Sequence, residues 1–289
     1  MQNAVTVENV SYVYGEGTPF RVVALDGVSL NVKKGKLTGI IGHTGSGKST
    51  LLQMLNGLVE PHDGKITVGG DDIYSNKKLR REACFRVGLV FQYPEYQLFE
   101  DTVKKDIAFG PTNMGLSREE IDHRVAEAAK FVGLDEDVLE KSPFDLSGGQ
   151  KRRVAIAGIL AMKPEIIVLD EPASGLDPIG RREIFGGLEN YRRATGTTMV
   201  IVSHSMEDMA RYADDLVVFE NGRVVMQGSK EEVFSREDEL RRIGLELPQI
   251  TRLVLDLREM GLELPRDIYT VDDALDAITA ICGGGEREC

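Results

Sequence analysis

Residues 37–50, Leu37-Thr38-Gly39-Ile40-Ile41-Gly42-His43-Thr44-Gly45-Ser46-Gly47-Lys48-Ser49-Thr50, decide the fold. The run 37–41 is apolar and short, the pattern of a buried strand. Gly42 to Ser49 then fits G-x-x-x-x-G-K-[ST], a phosphate-binding loop. The spacing has a physical cause. Glycines let backbone N–H groups wrap phosphate oxygens, Lys48 reaches the β and γ oxygens, and the Ser49 hydroxyl can ligate Mg²⁺. Thr50 to Leu58 reads as a helix ending near Gly57. Gly42, His43, Thr44, Gly45, Ser46, Gly47, Lys48, Ser49 and Thr50 are thus the candidate nucleotide-binding segment, with His43 a spacer that has no chemistry of its own.

Bulk properties narrow the class. A chain of 289 residues holds one large domain or a domain with an appendage. The net charge of −12 argues against a nucleic-acid surface. Apolar runs such as Ile166-Ile167-Val168-Leu169 are too short to span a bilayer. The start, MQNAVTVENV, lacks the basic and apolar regions of a signal peptide. Cys84, Cys282 and Cys289 suit a reduced compartment better than a disulfide frame.

Strand and helix patterns alternate along the chain. Residues 5–14, 28–32, 65–68, 87–91, 165–170, 198–203 and the Asn221-Gly222 hairpin at 217–225 predict strands. Residues 118–132, 147–162 and 178–194 predict helices, the first capped by Ser117 and stopped by Gly133. This order predicts an α/β sheet covered on both faces. Beyond residue 229 the character changes. Ile250, Leu253, Val254, Leu257 and Met260 form one helical stripe; Val271, Ala274, Leu275, Ile278 and Ile281 form another, opened by Thr270 and Asp273. This appendage either packs on its own core or offers a self-association surface. The Gly283-Gly284-Gly285 tail predicts disorder.

Further groups suit phosphate chemistry. Ile166–Leu169 runs into Asp170 and Glu171. Beside a phosphate-binding loop, Asp170 can hold the Mg²⁺ shell and Glu171 can polarise a water in line with the γ-phosphate; otherwise the two acids cap the next helix. Gln92, at a strand end, can touch both metal and water, or be a solvated loop residue. His204, after the last buried strand, can contact the γ-phosphate, or merely neighbour a helix cap. Ser147-Gly148-Gly149-Gln150 opens a helix and forms a second anion site of free N–H groups at a positive dipole end.

Together these residues resemble the ATPase subunits of ABC transporters. The resemblance rests on 42–49, Gln92, Leu146-Ser147-Gly148-Gly149-Gln150, Ile166–Glu171, Ser174-Gly175-Leu176-Asp177 and His204, and covers residues 1–228. Gly175 departs from the alanine more usual there. The resemblance implies a P-loop NTPase (RecA-like) core with an N-terminal antiparallel β-subdomain, an α-helical subdomain at about 93–160, and the 229–289 segment as a small helical appendage. It also implies ATP with Mg²⁺, an adenine-stacking Tyr14 (Tyr12 the alternative), and a nucleotide contact near Asp177. Such ATPases pair head to tail, so Ser147–Gln150 covers the nucleotide of a second ATPase subunit.

Other machines fit less well. A chromosome or repair ATPase needs a long coiled-coil insertion, whereas only about a hundred residues separate loop and signature. A stand-alone or ribosome-associated factor usually carries two nucleotide domains. A switch GTPase needs Asn-Lys-x-Asp, and Asn76-Lys77-Lys78-Leu79 lacks the acid. The stretch Gly88 to Val103, with Asp106 to Pro111, is similar to the ATPases of energy-coupling factor transporters, and most to the second of their two ATPase types. That resemblance implies import of vitamins or transition-metal ions from the cytoplasmic face of the membrane. The implied partners are a second ATPase subunit, usually the other type in a heterodimer with a homodimer as the alternative, a transmembrane coupling protein and a substrate-binding membrane protein. Tyr93, Pro94, Tyr96, Leu98 and Phe99, interleaved with Glu95, Glu100 and Asp101, suit a groove for a basic coupling helix.

Overall fold

The computed structural model describes residues 2–265 and 267–283 of the chain, so Gly284 and Gly285 of the glycine tail, and Cys289, lie outside the described residues. The two halves of the chain's β-structure follow different patterns. Strands β1 (Asn3–Tyr14), β2 (Val22–Lys33), β4 (Asp63–Val68) and β5 (Asp71–Asp72) form an antiparallel sheet in the order β2-β1-β4-β5. Strands β3 (Leu37–Gly42), β6 (Val87–Val90), β7 (Ile166–Asp170), β8 (Thr198–Val202), β9 (Asp215–Glu220) and β10 (Arg223–Ser229) form the second sheet, ordered β10-β9-β3-β8-β7-β6. All its pairings are parallel except the β9–β10 hairpin. That hairpin turns on Asn221 and Gly222, both at positive φ, as a two-residue turn requires.

Both faces of the second sheet's parallel strands are buried, and these strands sort their side chains with a period of two. Leu37, Ile41, Ile167, Leu169, Met199, Ile201, Leu216 and Val218 enter a core shared with the helices. Ile40, Ile166, Val168, Val200, Val202, Val217 and Phe219 enter a second core beneath the antiparallel sheet. Helix α1 (Lys48–Leu55) follows the loop after β3, and α2 (Lys77–Arg86) leads into β6. Between β6 and β7 stand α3 (Val103–Asn113), α4 (Arg118–Phe131), α5 (Glu136–Leu139) and α6 (Gly148–Ala161). These four helices lie between residues 103 and 161. Then come α7 (Pro178–Thr195) and α8 (Met206–Tyr212). Gly39 lets α8 lie close against β3: an added Cβ would push on the ends of the Met209 and Leu216 side chains.

The carboxyl-terminal region is helical: α9 (Lys230–Phe234), α10 (Glu237–Arg242), α11 (Gln249–Glu259) and α12 (Val271–Gly283). Phe234, Leu240, Leu247 and Tyr269 belong to the large core of the preceding fold. A separate small core gathers Val254, Leu264, Ile268 and Ala274, with Ile250, Leu257 and Ile278 against it. Each sequence stripe is part covered and part open. Leu253 and Met260 stay exposed, Met260 by 79 %, as do Val271, Leu275 and Ile281. Each helix is short and rests only one flank on its neighbour, so only about half of each stripe is covered. Thr270 opens α12 as expected, its hydroxyl accepting the Asp273 N–H at 3.1 Å.

One correction concerns β7. The acid-tipped strand is expected next to the phosphate loop, but β8 lies between β3 and β7. Among the described residues no helix is long and apolar enough to cross a membrane. Ile167, wholly buried in β7, tests the packing: Ile167→Ala is expected to lower unfolding free energy by about 2–5 kcal/mol, read from urea denaturation.

Candidate active site

The carboxyl ends of the parallel strands open onto one cavity of about 270 Å³. Its lining includes Tyr14, Thr44, Gly45, Gly47, Lys48, Ser49, Thr50, Gln92, Asp170, Glu171 and His204. The loop after β3 takes its shape from glycines. Gly42 and Gly47 have φ of 146° and 98°, and an added Cβ would strike the Phe219 and Ala24 carbonyls respectively. At Gly45 a Cβ would meet nothing within 4 Å, so the loop is open there. No side chain caps the start of α1, which leaves its first N–H groups to face the cavity.

Lys48 is buried and reaches back over the loop. Its Nζ donates to the carbonyls of Gly42 and His43, both at 2.7 Å, and to Ser46 Oγ at 3.4 Å. Burial lowers its pKa, while Glu171 and Asp170 work the other way. Asp170, at the tip of β7, has its pKa raised by burial, opposed by a hydrogen bond from Ser49 and by Lys48. Glu171 is pushed up to about 7, first by burial and then by the charge of Asp170. Its backbone is left-handed, φ 52°, held by its N–H to the Val202 carbonyl at 3.0 Å and by its own carbonyl accepting Ser174 N–H at 3.1 Å. Tyr93, next to Gln92, is also left-handed at φ 58°. Such conformations cost about 1–3 kcal/mol each and tend to gather at functional sites.

Glu171 Oε1 is buried with no hydrogen-bond partner, although His204 Nε2 lies 3.3 Å away. The distance permits contact, but the angles do not make a hydrogen bond. Burial, then Lys48, lowers the pKa of His204, which favours the neutral imidazole. Tyr14, not Tyr12, lines the cavity. Its hydroxyl lies 3.3 Å from Thr50 Oγ1, whereas Tyr12 packs against His62.

The other sequence candidates lie apart. Ser147 caps α6 in a reciprocal capping box: Ser147 Oγ accepts Gln150 N–H at 3.3 Å, and Gln150 Oε1 accepts Ser147 N–H at 3.1 Å. The free N–H groups expected there therefore reduce to Gly148 and Gly149, which no side chain caps among the described residues. Asp177 spends its carboxylate on capping α7, accepting Gly180 N–H at 2.7 Å. His43 turns out of the loop, and its Nε2 donates to the Ile243 carbonyl. A spacer by pattern is thus a contact to the carboxyl-terminal region. Glu95, expected as an acid of the docking groove, instead pairs with Arg152 at 3.0 Å, a residue far away in the chain to which sequence reading assigns no role.

A family model for ABC transporters matches residues 25–174. The energy-coupling factor transporter ATP-binding protein EcfA2 of Caldanaerobacter subterraneus subsp. tengcongensis is 52 % identical over 95 % of this chain and 96 % of its own. The chain belongs to the ATP-binding subunits of energy-coupling factor transporters. It is a transport ATPase of the ABC class. Solved structures agree in fold. The cbiO1 protein of Clostridium perfringens, described as part of the ABC transporter complex cbiONQ, superposes with a TM-score of 0.75 at 39 % identity, over 88 % of this chain and 100 % of that one. A dimeric ATP-binding cassette in a post-hydrolysis state with ADP and Pi gives 0.70 at 30 % identity, over 78 % of this chain and 98 % of that one.

The raised Glu171 pKa has a consequence for stability. Its folded value of about 7 exceeds the ordinary 4.5, so the folded protein holds a proton that the unfolded chain has lost between those pH values. Stability therefore declines as pH rises from about 4.5 to 7. Glu171→Gln is expected to raise the nucleotide-free protein's stability by up to about 3 kcal/mol at pH 8, and by nearly nothing at pH 4.5. Melting curves at the two pH values read the difference, and equal shifts would contradict the buried-charge account.

Proposed function

We propose that this ATPase works as one half of a head-to-tail pair. Its own cavity binds one ATP, and its Ser147 end covers a second ATP held by a partner ATPase. The observation that carries the reading is the division of the expected site. Lys48, Gln92, Asp170, Glu171 and His204 share the cavity, whereas Ser147 and Gly148 stand exposed outside it. An exposed anion-binding helix end with nothing of its own to bind suits a neighbour's phosphate. That a related cassette was solved as a dimer with ADP and Pi supports the same arrangement.

Within the cavity Lys48 and the loop N–H groups hold the phosphates, and Tyr14 stacks on adenine. Ionised Glu171 accepts a proton from the attacking water, and His204 contacts the γ-phosphate. Asp177 adjoins the nucleotide only across the pair, since its own carboxylate caps α7. The hard oxygen donors Ser49, Asp170 and Gln92 fit Mg²⁺, which uses few protein ligands beside phosphates. Mg²⁺ bound with the nucleotide supplies neutralisation of the β- and γ-phosphate charge.

Pair closure drives a transmembrane coupling protein, with a substrate-binding membrane protein beside it, on the cytoplasmic face of the membrane. The cargo class is vitamins or transition-metal ions, and the partner ATPase is the other type of the family. Residues 1–228 act as the nucleotide-binding domain and 229–289 as the appendage, whose Phe234 and Leu240 join the large core. The docking face for the coupling protein is narrower than the sequence suggests. Pro94 is buried, Leu98 packs on the large core, and Glu95 turns inward to Arg152. Tyr93, Tyr96, Phe99 and Phe109 remain outside, Tyr96 and Phe99 by 85 % and 57 %. Exposed aromatic faces beside Glu100 and Asp101 suit an arginine-bearing helix.

Glu171→Gln is expected to retain ATP binding and to cut turnover by about 10²–10⁴. Ser147→Arg should leave ATP affinity of the isolated subunit intact while blocking ATP-driven pairing, as read by sedimentation in the Glu171→Gln background. Equal loss of both would put the signature in its own chain's site. Phe99→Ser is expected to weaken coupling-protein binding by about 1–3 kcal/mol in a pull-down while basal hydrolysis survives.

A further inference from the structure

Arg152 stands two residues past Gln150 in α6, and its side chain is only 4 % exposed. Its guanidinium makes bonds in two directions. Nε and Nη2 donate to the Glu95 carboxylate at 3.2 and 3.0 Å, and Nη1 donates to the Ser174 carbonyl. Glu95 lies three residues beyond Gln92, and Ser174 lies three beyond Glu171 in the turn closed by the Glu171 carbonyl. One planar group thus joins the first turns of α6 to both segments that leave the cavity. The neighbouring Arg153 shows what an ordinary staple looks like. It bonds the Val132 and Gly133 carbonyls and Glu183, none of which adjoins the cavity.

We propose that Arg152 is a positioning residue that couples the chain's own ATP site to the helix end offered to the partner's ATP. The proposal rests on the pairing described above. When phosphate contacts shift Gln92 or Glu171, the segments that follow them carry Arg152, and the base of Ser147–Gln150 moves with it. The link needs the forked guanidinium, because a carboxylate and a carbonyl in different directions must be held at once. Both ends are shielded from water, so losing one partner leaves a charge poorly solvated.

The test uses the assembled transporter, with Arg152→Gln, Glu95→Gln, the double variant and Ser147→Arg compared by ATP titration. Glu95→Gln keeps the side chain's shape, so it reports even if Arg152→Gln folds poorly. Each single variant is expected to lower kcat about tenfold with KM for ATP within about twofold. The double variant should be no worse than either single one, as for members of one link. Nucleotide affinity of the isolated subunits should not change. Normal kcat in Glu95→Gln, losses that multiply in the double variant, or a kcat that recovers well below the melting midpoint would overturn the proposal. Ser147→Arg separates the two ideas. If it stops turnover while Arg152→Gln does not, only the link falls; if it leaves turnover intact, the pairing falls and takes the link with it.

Discussion

The parallel ladder of β3, β8, β7 and β6 is the constraint on which the site depends. Val202 pairs with Ile40 on one side and with Asp170 on the other, and Leu169 pairs with Val90. These rungs put the ends of four strands at one edge, so the phosphate loop, His204, Glu171 and Gln92 leave the sheet side by side. Strand side chains alternate, so a slip of one residue would turn Asp170 away and reverse every apolar contact in β7. Both faces of that strand are packed, which makes the register costly to change. The precision of the site is therefore set by hydrophobic alternation in residues that never touch a ligand.

The same edge concentrates unfavourable charge. Burial opposes ionisation of Lys48, Asp170 and Glu171 alike, and the two carboxylates also repel one another. Lys48 offsets part of this by attracting both acids. Glu171 adds a left-handed backbone to a buried, unpartnered oxygen. The ground state is strained where chemistry is expected, and the surrounding strands are apolar enough to hold it.

Much of this was legible because it is written locally. A period of two marks the strands, Ser117 and Gly133 bracket α4, and the phosphate loop carries its glycines in a fixed frame. What was missed follows from physics that spans the chain. α3 hides behind Gly110 and Pro111, yet tertiary packing of Val103 and Ile107 carries the helix through them. α2 is a run of charged residues with one buried alanine, so no apolar stripe announces it. The insertion of β8 between β3 and β7 is a matter of strand order, which periodicity does not encode. The Arg152–Glu95 pair joins residues 57 positions apart, and each reads alone as a surface charge. Leu253 and Met260 show the converse limit: a stripe describes what a helix could bury, and the neighbour decides how much it does.

The contact between His43 and the Ile243 carbonyl bears on what counts as the working unit of this chain. A cut after β10, where the nucleotide-binding pattern ends, would remove Phe234 and Leu240 from the main core and free the outer side of the phosphate loop. The smallest fragment that keeps this loop's surroundings must extend past residue 243. The carboxyl-terminal helices are part of the scaffold of the loop after β3, and a fusion or split placed at the end of the sheet would alter that loop from behind.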